Sequence, residues 1–223
     1  VFSSSVEIDE NESFRVVSSG QLLEFLFRML CAAKIFPMPE IKTVFFSRID
    51  SLVVGPLLLA ATEKGLRCLH FYKGTMPAPA KDETWVESPE RLEPYVAQLD
   101  AYFRGELRDF TFDLDLVGTQ FQKDCWQALL RIPYGKTCSY AEIARDIGRP
   151  NAFRAVGQAN HDNPIAIVVP CHRVLGANGT LTGYGGGLNT KEKLLRLEGA
   201  SFRLKSASSF DQVADQAQAS FQY

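Results

Sequence analysis

Apolar residues come in short strand-like runs up to about residue 116 and at three-to-four spacing beyond it, so a change of period divides the chain. Thr43–Ile49 is rich in β-branched and aromatic residues and predicts a strand. Leu57–Thr62, a turn at Glu63-Lys64-Gly65, and Leu66–Tyr72 predict a β-hairpin. A Pro- and Lys-containing loop (Gly74–Lys81) leads to a helix over Pro89–Phe103, with Leu92, Val96, Leu99 and Phe103 on one face and Gly105 at its end. Phe110–Leu116 alternates and predicts another strand. This is a small α/β module, informative about fold and silent about chemistry.

From Thr119 the pattern is helical. Phe121–Leu130 stops at Pro133-Tyr134-Gly135. A second helix opens at the N-cap candidates Thr137-Cys138-Ser139, with Glu142 placed for a capping box. It buries Tyr140, Ile143, Ala144 and Ile147, and Gly148 closes it. A third runs from Arg149-Pro150-Asn151 through Asn160. Two short helices around a Gly turn have the form of a helix-turn-helix, although many αα-hairpins of this form bind nothing. Ala152, Ala155, Gly157 and Ala159 are all small, with Arg154 projecting among them. Close helix packing and close approach to a DNA groove explain that composition equally well.

These patterns divide the chain into an extension at 1–42, an α/β module at 43–116, a mostly helical domain at 117–200 and a polar tail at 201–223. In the extension, Leu22–Phe36 is broken by Glu24, Arg28 and Lys34, so it predicts an amphipathic helix. Leu52–Ala61 is too short to span a bilayer. No signal-peptide pattern is present, and the expected location is the cytoplasm, or the nucleus in a eukaryote.

Charge adds an asymmetry. The net charge is −2, but residues 1–120 carry 12 basic and 18 acidic groups, net −6, while 121–223 carry 12 and 8, net +4. Any contact with phosphate therefore belongs to the second half. Five cysteines without a CxxC pair argue against a disulfide framework and a zinc knuckle. Cys68 and His70 alone are weak evidence for a metal.

The candidate chemistry lies after Asn163-Pro164. The apolar run Ile165–Val169 predicts a buried strand that ends at Pro170 and delivers Cys171, followed directly by His172 and Arg173. A free cysteine often simply packs in a core. Cationic neighbours, however, favour thiolate, the nucleophilic form, and none of the other four cysteines is followed directly by a histidine and an arginine. Gly183-Tyr184-Gly185-Gly186-Gly187 follows and has no phosphate-loop spacing, so a nucleotide cofactor is not expected. Such a loop lets a flat ligand lie against backbone.

SYAEIARDIGRPNAFRAVGQAN, NPIAIVVPCHRV and GYGGGLNTKEKLLRLEG, in this order, closely resemble the methylated-DNA–protein-cysteine methyltransferases, the O6-alkylguanine-DNA alkyltransferases. The resemblance covers about Gly118–Gly199 and continues more weakly back to about Asp50. It implies a ribonuclease-H-like α/β module followed by a winged helix-turn-helix-like domain that binds the minor groove and flips the damaged base. It implies Cys171 as alkyl acceptor, His172 as the base acting through a water, Glu198 as the carboxylate orienting it, and Tyr140 as proton donor to the leaving guanine. Arg154 would replace the flipped base, with Ser139, Tyr140, Ala155, Gly157 and Asn160 on the DNA face. Asn163, Pro170, Val174, Tyr184, Gly185 and Gly186 would build the pocket. Gly185 departs from the serine of some members, and the metal ligands of others are not evident. The implied substrate is double-stranded DNA carrying O6-alkylguanine, with O4-alkylthymine second, and no cofactor, metal, membrane or obligate protein partner. Each molecule is expected to act once, because a thioether has no evident route back to thiol, and to be a monomer, because single-site stoichiometric chemistry needs no second subunit.

Three rivals are weighed against this. A non-catalytic alkylguanine-binding relative lacks the cysteine that stands here at 171. A cysteine hydrolase needs direct Cys–His contact, which adjacent strand residues resist. A transcription factor would use the helix-turn-helix alone. The low net charge further predicts modest, largely sequence-independent DNA affinity with a shallow salt dependence.

Overall fold

The computed structural model describes residues 5–8, 14–17 and 41–204. The helix expected at Leu22–Phe36, Cys31 and the tail after residue 204 lie outside the described residues. Near the start, β1 (Ser5–Ile8) and β2 (Phe14–Val17) pair antiparallel.

The N-terminal module is a four-stranded sheet of order β5-β4-β3-β6, formed by β3 (Lys42–Ser51), β4 (Gly55–Thr62), β5 (Gly65–Phe71) and β6 (Glu83–Glu87). β4 reads as an unbroken apolar run because both its faces are covered. Leu57, Leu59 and Ala61 enter the main core, while Ala60 packs with Val44 and Cys68 under Phe46 and Trp85. α1 (Pro89–Phe103) starts on a proline at N1 and buries Leu92, Leu99 and Tyr102 in the main core.

Two expectations are corrected here. β6 was not foreseen, since among its five residues only Trp85 and Val86 are apolar. Phe110–Leu116 is not a strand: its backbone pairs with the sheet only at Leu66, whose N–H donates to Asp113 O at 2.9 Å and whose carbonyl accepts from Asp115 N at 2.8 Å. The alternation there serves packing instead, with Phe110, Phe112 and Leu114 lying on the core. Gly65 permits this close approach, because a Cβ there would come within 2.2 Å of Asp113 O.

The second domain comprises α2 (Gln120–Leu130), β7 (Cys138–Ser139), α3 (Tyr140–Asp146), α4 (Phe153–His161), β8 (Val174–Leu175) and α5 (Leu188–Leu197). α4 begins after the expected Arg149-Pro150-Asn151 start. Trp126 of α2 is buried and donates its indole N–H to Ala159 O of α4 at 2.9 Å. Ser139 caps α3 reciprocally: its hydroxyl accepts from Glu142 N at 3.3 Å, and Glu142 accepts from Ser139 N at 2.6 Å. Those bonds from Ser139 hold the Glu142 carboxyl below its ordinary range. Ser139→Ala is expected to cost about 1 kcal/mol, read as a lower midpoint in urea unfolding. Among the described residues no helix is long and apolar enough to cross a membrane.

Candidate active site

The expected strand at Ile165–Val169 is instead a tight turn. Ile165 touches the sheet by one bridge to Leu69: Leu69 N–H donates to Pro164 O and Ala166 N–H to Leu69 O, each at 2.9 Å. The chain then folds back, with Val169 N–H donating to Ile165 O at 2.9 Å. Ile167 sits at φ 73°, a left-handed conformation that costs a β-branched residue roughly 1–3 kcal/mol. Burial on all sides gives turn and strand the same apolar signature. Asn163 holds the turn closed, accepting from Ile165 N at 3.0 Å and donating to Val169 O at 2.8 Å.

Cys171–Arg173 form one turn of 3-10 helix rather than a strand end, so the alternating-face argument against direct Cys–His contact does not apply. The Asn163 amide also donates to Cys171 Sγ at 3.1 Å. Burial nonetheless raises the Cys171 thiol above its ordinary value, against the Asn163 bond and the Lys191 charge that lower it. This corrects the expectation that His172 and Arg173 favour thiolate. Arg173 is committed elsewhere and His172 is neutral, so the thiol is held protonated and needs a base.

That commitment is to Glu198, the C-cap of α5, which is buried and accepts from four residues. Arg173 reaches it from Nε at 2.9 Å and Nη2 at 2.9 Å, the Tyr102 hydroxyl donates to Oε1 at 2.7 Å, and Gly135 N–H donates to Oε2 at 3.2 Å. His172 Nε2 lies 2.9 Å from Oε1. Burial alone would raise the Glu198 carboxyl, but the bonds and charges of His172 and Arg173 outweigh it and hold it at about 2. Burial also lowers the fully enclosed His172, more than the Glu198 bond raises it. A neutral imidazole beside a carboxylate carries its proton on Nε2 and donates it, leaving Nδ1 as a basic lone pair. Nδ1 has no partner within the protein.

Two cavities open beside Cys171. One, of about 230 Å³, is lined by Phe71, Asn160, Asn163 and Tyr184, among others. The other, of about 590 Å³, reaches Tyr140, Gly157 and Gly183. Gly185 lines both. Gly186 packs on Phe71, where a Cβ would meet the ring at 2.7 Å. Tyr140 opens α3 and shares a 3.0 Å hydrogen bond with Thr182. Arg154 and Ala155 are exposed on α4, Gly157 and Ser139 are half-buried, and Asn160 is buried. Three expected pocket residues line neither cavity: Val174, Pro170, and Gly186, which lies against Phe71. Val174 is fully buried, its carbonyl accepting from Lys191 Nζ at 2.6 Å, and Pro170 lines a separate cleft with Arg108.

Sequence reasoning missed Tyr102, the fully buried Lys191, and Phe71 with Lys73, which brace the glycine loop from the end of β5. Phe71 packs edge-on against Tyr184 at 5.5 Å, and Lys73 Nζ donates to Gly185 O at 3.2 Å. Nothing local marks Tyr102 or Lys73, whose partners Glu198 and Gly185 lie 96 and 112 positions away, nor Phe71, which meets Tyr184.

Comparison with known proteins gives a consistent result. Residues 44–116 match the ribonuclease-like domain of 6-O-methylguanine DNA methyltransferase, and residues 120–200 match its DNA-binding domain. The chain is 55% identical over 147 residues to the methylated-DNA–protein-cysteine methyltransferase of Methanosarcina acetivorans, covering 66% of this chain and 94% of that one. It is 53% identical over 155 residues to its counterpart in Mycobacterium tuberculosis, covering 70% and 92%. The crystal structure of M. tuberculosis OGT in complex with DNA superimposes with a TM-score of 0.64 at 52% identity, covering 70% of this chain and 92% of that one.

Proposed function

The chain belongs to the methylated-DNA–protein-cysteine methyltransferase family of DNA-repair enzymes, and on that premise we propose that it moves the alkyl group of O6-alkylguanine in duplex DNA irreversibly onto its own Cys171. The observation that carries this is the line Cys171, His172, Glu198. A buried thiol shares one helical turn with a buried imidazole whose Nδ1 has no protein partner and whose Nε2 is hydrogen-bonded to a carboxylate. This is the logic of an activated nucleophile.

His172 Nδ1 takes the thiol proton through a water, while Glu198 stabilises the imidazolium. The thiolate attacks the carbon attached to O6. The S–C bond forms, the C–O bond breaks with its electron pair on the base, and a proton, supplied through Tyr140, neutralises the leaving guanine. The acceptor is a side chain, so the reaction consumes no second small molecule. O4-alkylthymine presents the same chemistry and is the secondary substrate.

A base inside a duplex hides its O6 substituent, so the target is flipped into the Cys171 cavity. Arg154, exposed on α4, fills the gap in the stack. Ser139, Tyr140, Ala155 and Gly157 lie along the minor-groove face, and Gly157 lets backbone approach. On this reading the helices form a winged helix-turn-helix on a ribonuclease-H-like module, and the protein acts as a monomer.

Incubation with a duplex carrying O6-methylguanine, followed by intact-mass spectrometry, tests the proposal. The expected result is a gain of one methyl that saturates at one equivalent and maps to the Cys171 peptide. Turnover beyond one equivalent, or a gain elsewhere, overturns it.

A further inference from the structure

Protein interiors leave few polar atoms without a hydrogen bond, and each exception asks for a reason. Among the described residues the buried side-chain atoms without a partner are Asn160 Nδ2 and Oδ1, His172 Nδ1 and the Tyr184 hydroxyl. They are not scattered: Asn160 and Tyr184 both line the two cavities that open on Cys171. His172 Nδ1 is accounted for by proton transfer. The Asn160 amide, only 9% exposed and unpaired at both ends, is not.

Its position indicates what it meets. Asn160 sits in the last turn of α4, and its carbonyl accepts from Asn163 N at 3.4 Å. Asn163 in turn donates its side-chain amide to Cys171 Sγ. Asn160 and Cys171 line the same two cavities, so the unpaired amide shares its wall with the thiol that accepts the transferred group on the repair reading. A methyl group neither donates nor accepts. A hydroxyalkyl group does both, and so matches an amide carrying a donor and an acceptor.

We infer that Asn160 is a specificity-determining residue that hydrogen-bonds polar O6 substituents, hydroxyalkyl adducts above all, as they are transferred to Cys171. The inference rests on the repair reading above. The step keeps the same balance: S–C forms at the carbon bearing O6, C–O6 breaks with its electron pair on guanine, and the hydroxyl is carried across unchanged.

The test compares single-turnover rates on one duplex sequence carrying either O6-methylguanine or O6-(2-hydroxyethyl)guanine. Asn160→Leu is expected to lower the hydroxyethyl-to-methyl rate ratio by about tenfold, the scale of one well-made hydrogen bond to a buried group. The same variant is expected to melt at a higher temperature, since it removes an unpaired buried amide. Asn160→Ala, which adds no bulk, carries the test if leucine does not fit. An unchanged ratio in both variants, or equal loss on both substrates, overturns the inference. So does a wild-type protein that transfers methyl but not hydroxyethyl. Transfer of neither group by the wild type overturns the repair reading itself.

Discussion

Cys171→Ser is expected to take up no methyl group from a duplex carrying O6-methylguanine, while folding and binding DNA as the parent does. The substitution is nearly isosteric, and Asn163 still has an acceptor in place of Sγ. What is lost is chemical. Burial already holds the thiol above its ordinary value, and a hydroxyl in the same place ionises far less readily. The neutral His172 has far less capacity to generate an alkoxide than a thiolate. The transfer rate falls by roughly four orders of magnitude or more, the scale on which loss of a covalent nucleophile is felt. Quench-flow followed by mass spectrometry, with gel-shift binding alongside, checks it. Methyl uptake by the serine variant within tenfold of the wild-type rate, or loss of binding with it, contradicts the assignment.

Glu198→Gln has the second large effect, because it damages stability and chemistry together. Glu198 balances Arg173, fixes the His172 tautomer and accepts from Tyr102 and Gly135. Glutamine turns one acceptor oxygen into a donor facing other donors and leaves a buried guanidinium without its counter-charge. Breaking a buried pair in this way costs about 3–5 kcal/mol. For a chain of this size that is roughly a 10 °C fall in Tm. The transfer rate falls by roughly 10²–10⁴, the usual worth of a positioned base. The pH dependence follows from the sign of the shift. The folded carboxyl lies at about 2, below its ordinary 4.5, so its contribution is fully present above 4.5 and is lost as pH falls toward 2. Urea unfolding along that acid limb shows a steep loss in the wild type and a flatter one in Glu198→Gln. Equal slopes in the two proteins contradict the pairing.

What the sequence made legible followed from local signals. The α1 span, the β4–β5 hairpin and the Ser139–Glu142 cap each depend on residues within a few positions, and all three stand in the structure. The PCHRV string drew attention to the turn on which the proposed chemistry rests because several chemically distinct residues fall in order. The errors share a physical cause. Ile165–Val169 and Phe110–Leu116 are apolar because they are enclosed, and enclosure does not distinguish a ladder from a turn held by one side-chain amide. The thiolate expectation failed for a related reason. Neighbours in sequence gave Cys171 two cations, but Arg173 points its charge into Glu198, and burial decides the thiol's state. Tyr102, Phe71 and Lys73 carry no signal at all until the fold brings them to the site.

Those three residues bear on how the protein can be divided. Tyr102 supplies a donor to the carboxylate behind the histidine, and Phe71 and Lys73 steady the glycine loop, yet all three precede residue 117. A cut between the family's two domains leaves every residue of the PCHRV string on the C-terminal fragment and strips that fragment of the hydroxyl behind Glu198 and the ring behind Tyr184. The boundary that separates two folding patterns thus runs through the middle of a single chemical device. On the proposed mechanism, a C-terminal fragment cut at this boundary is expected to transfer the alkyl group more slowly than the whole chain.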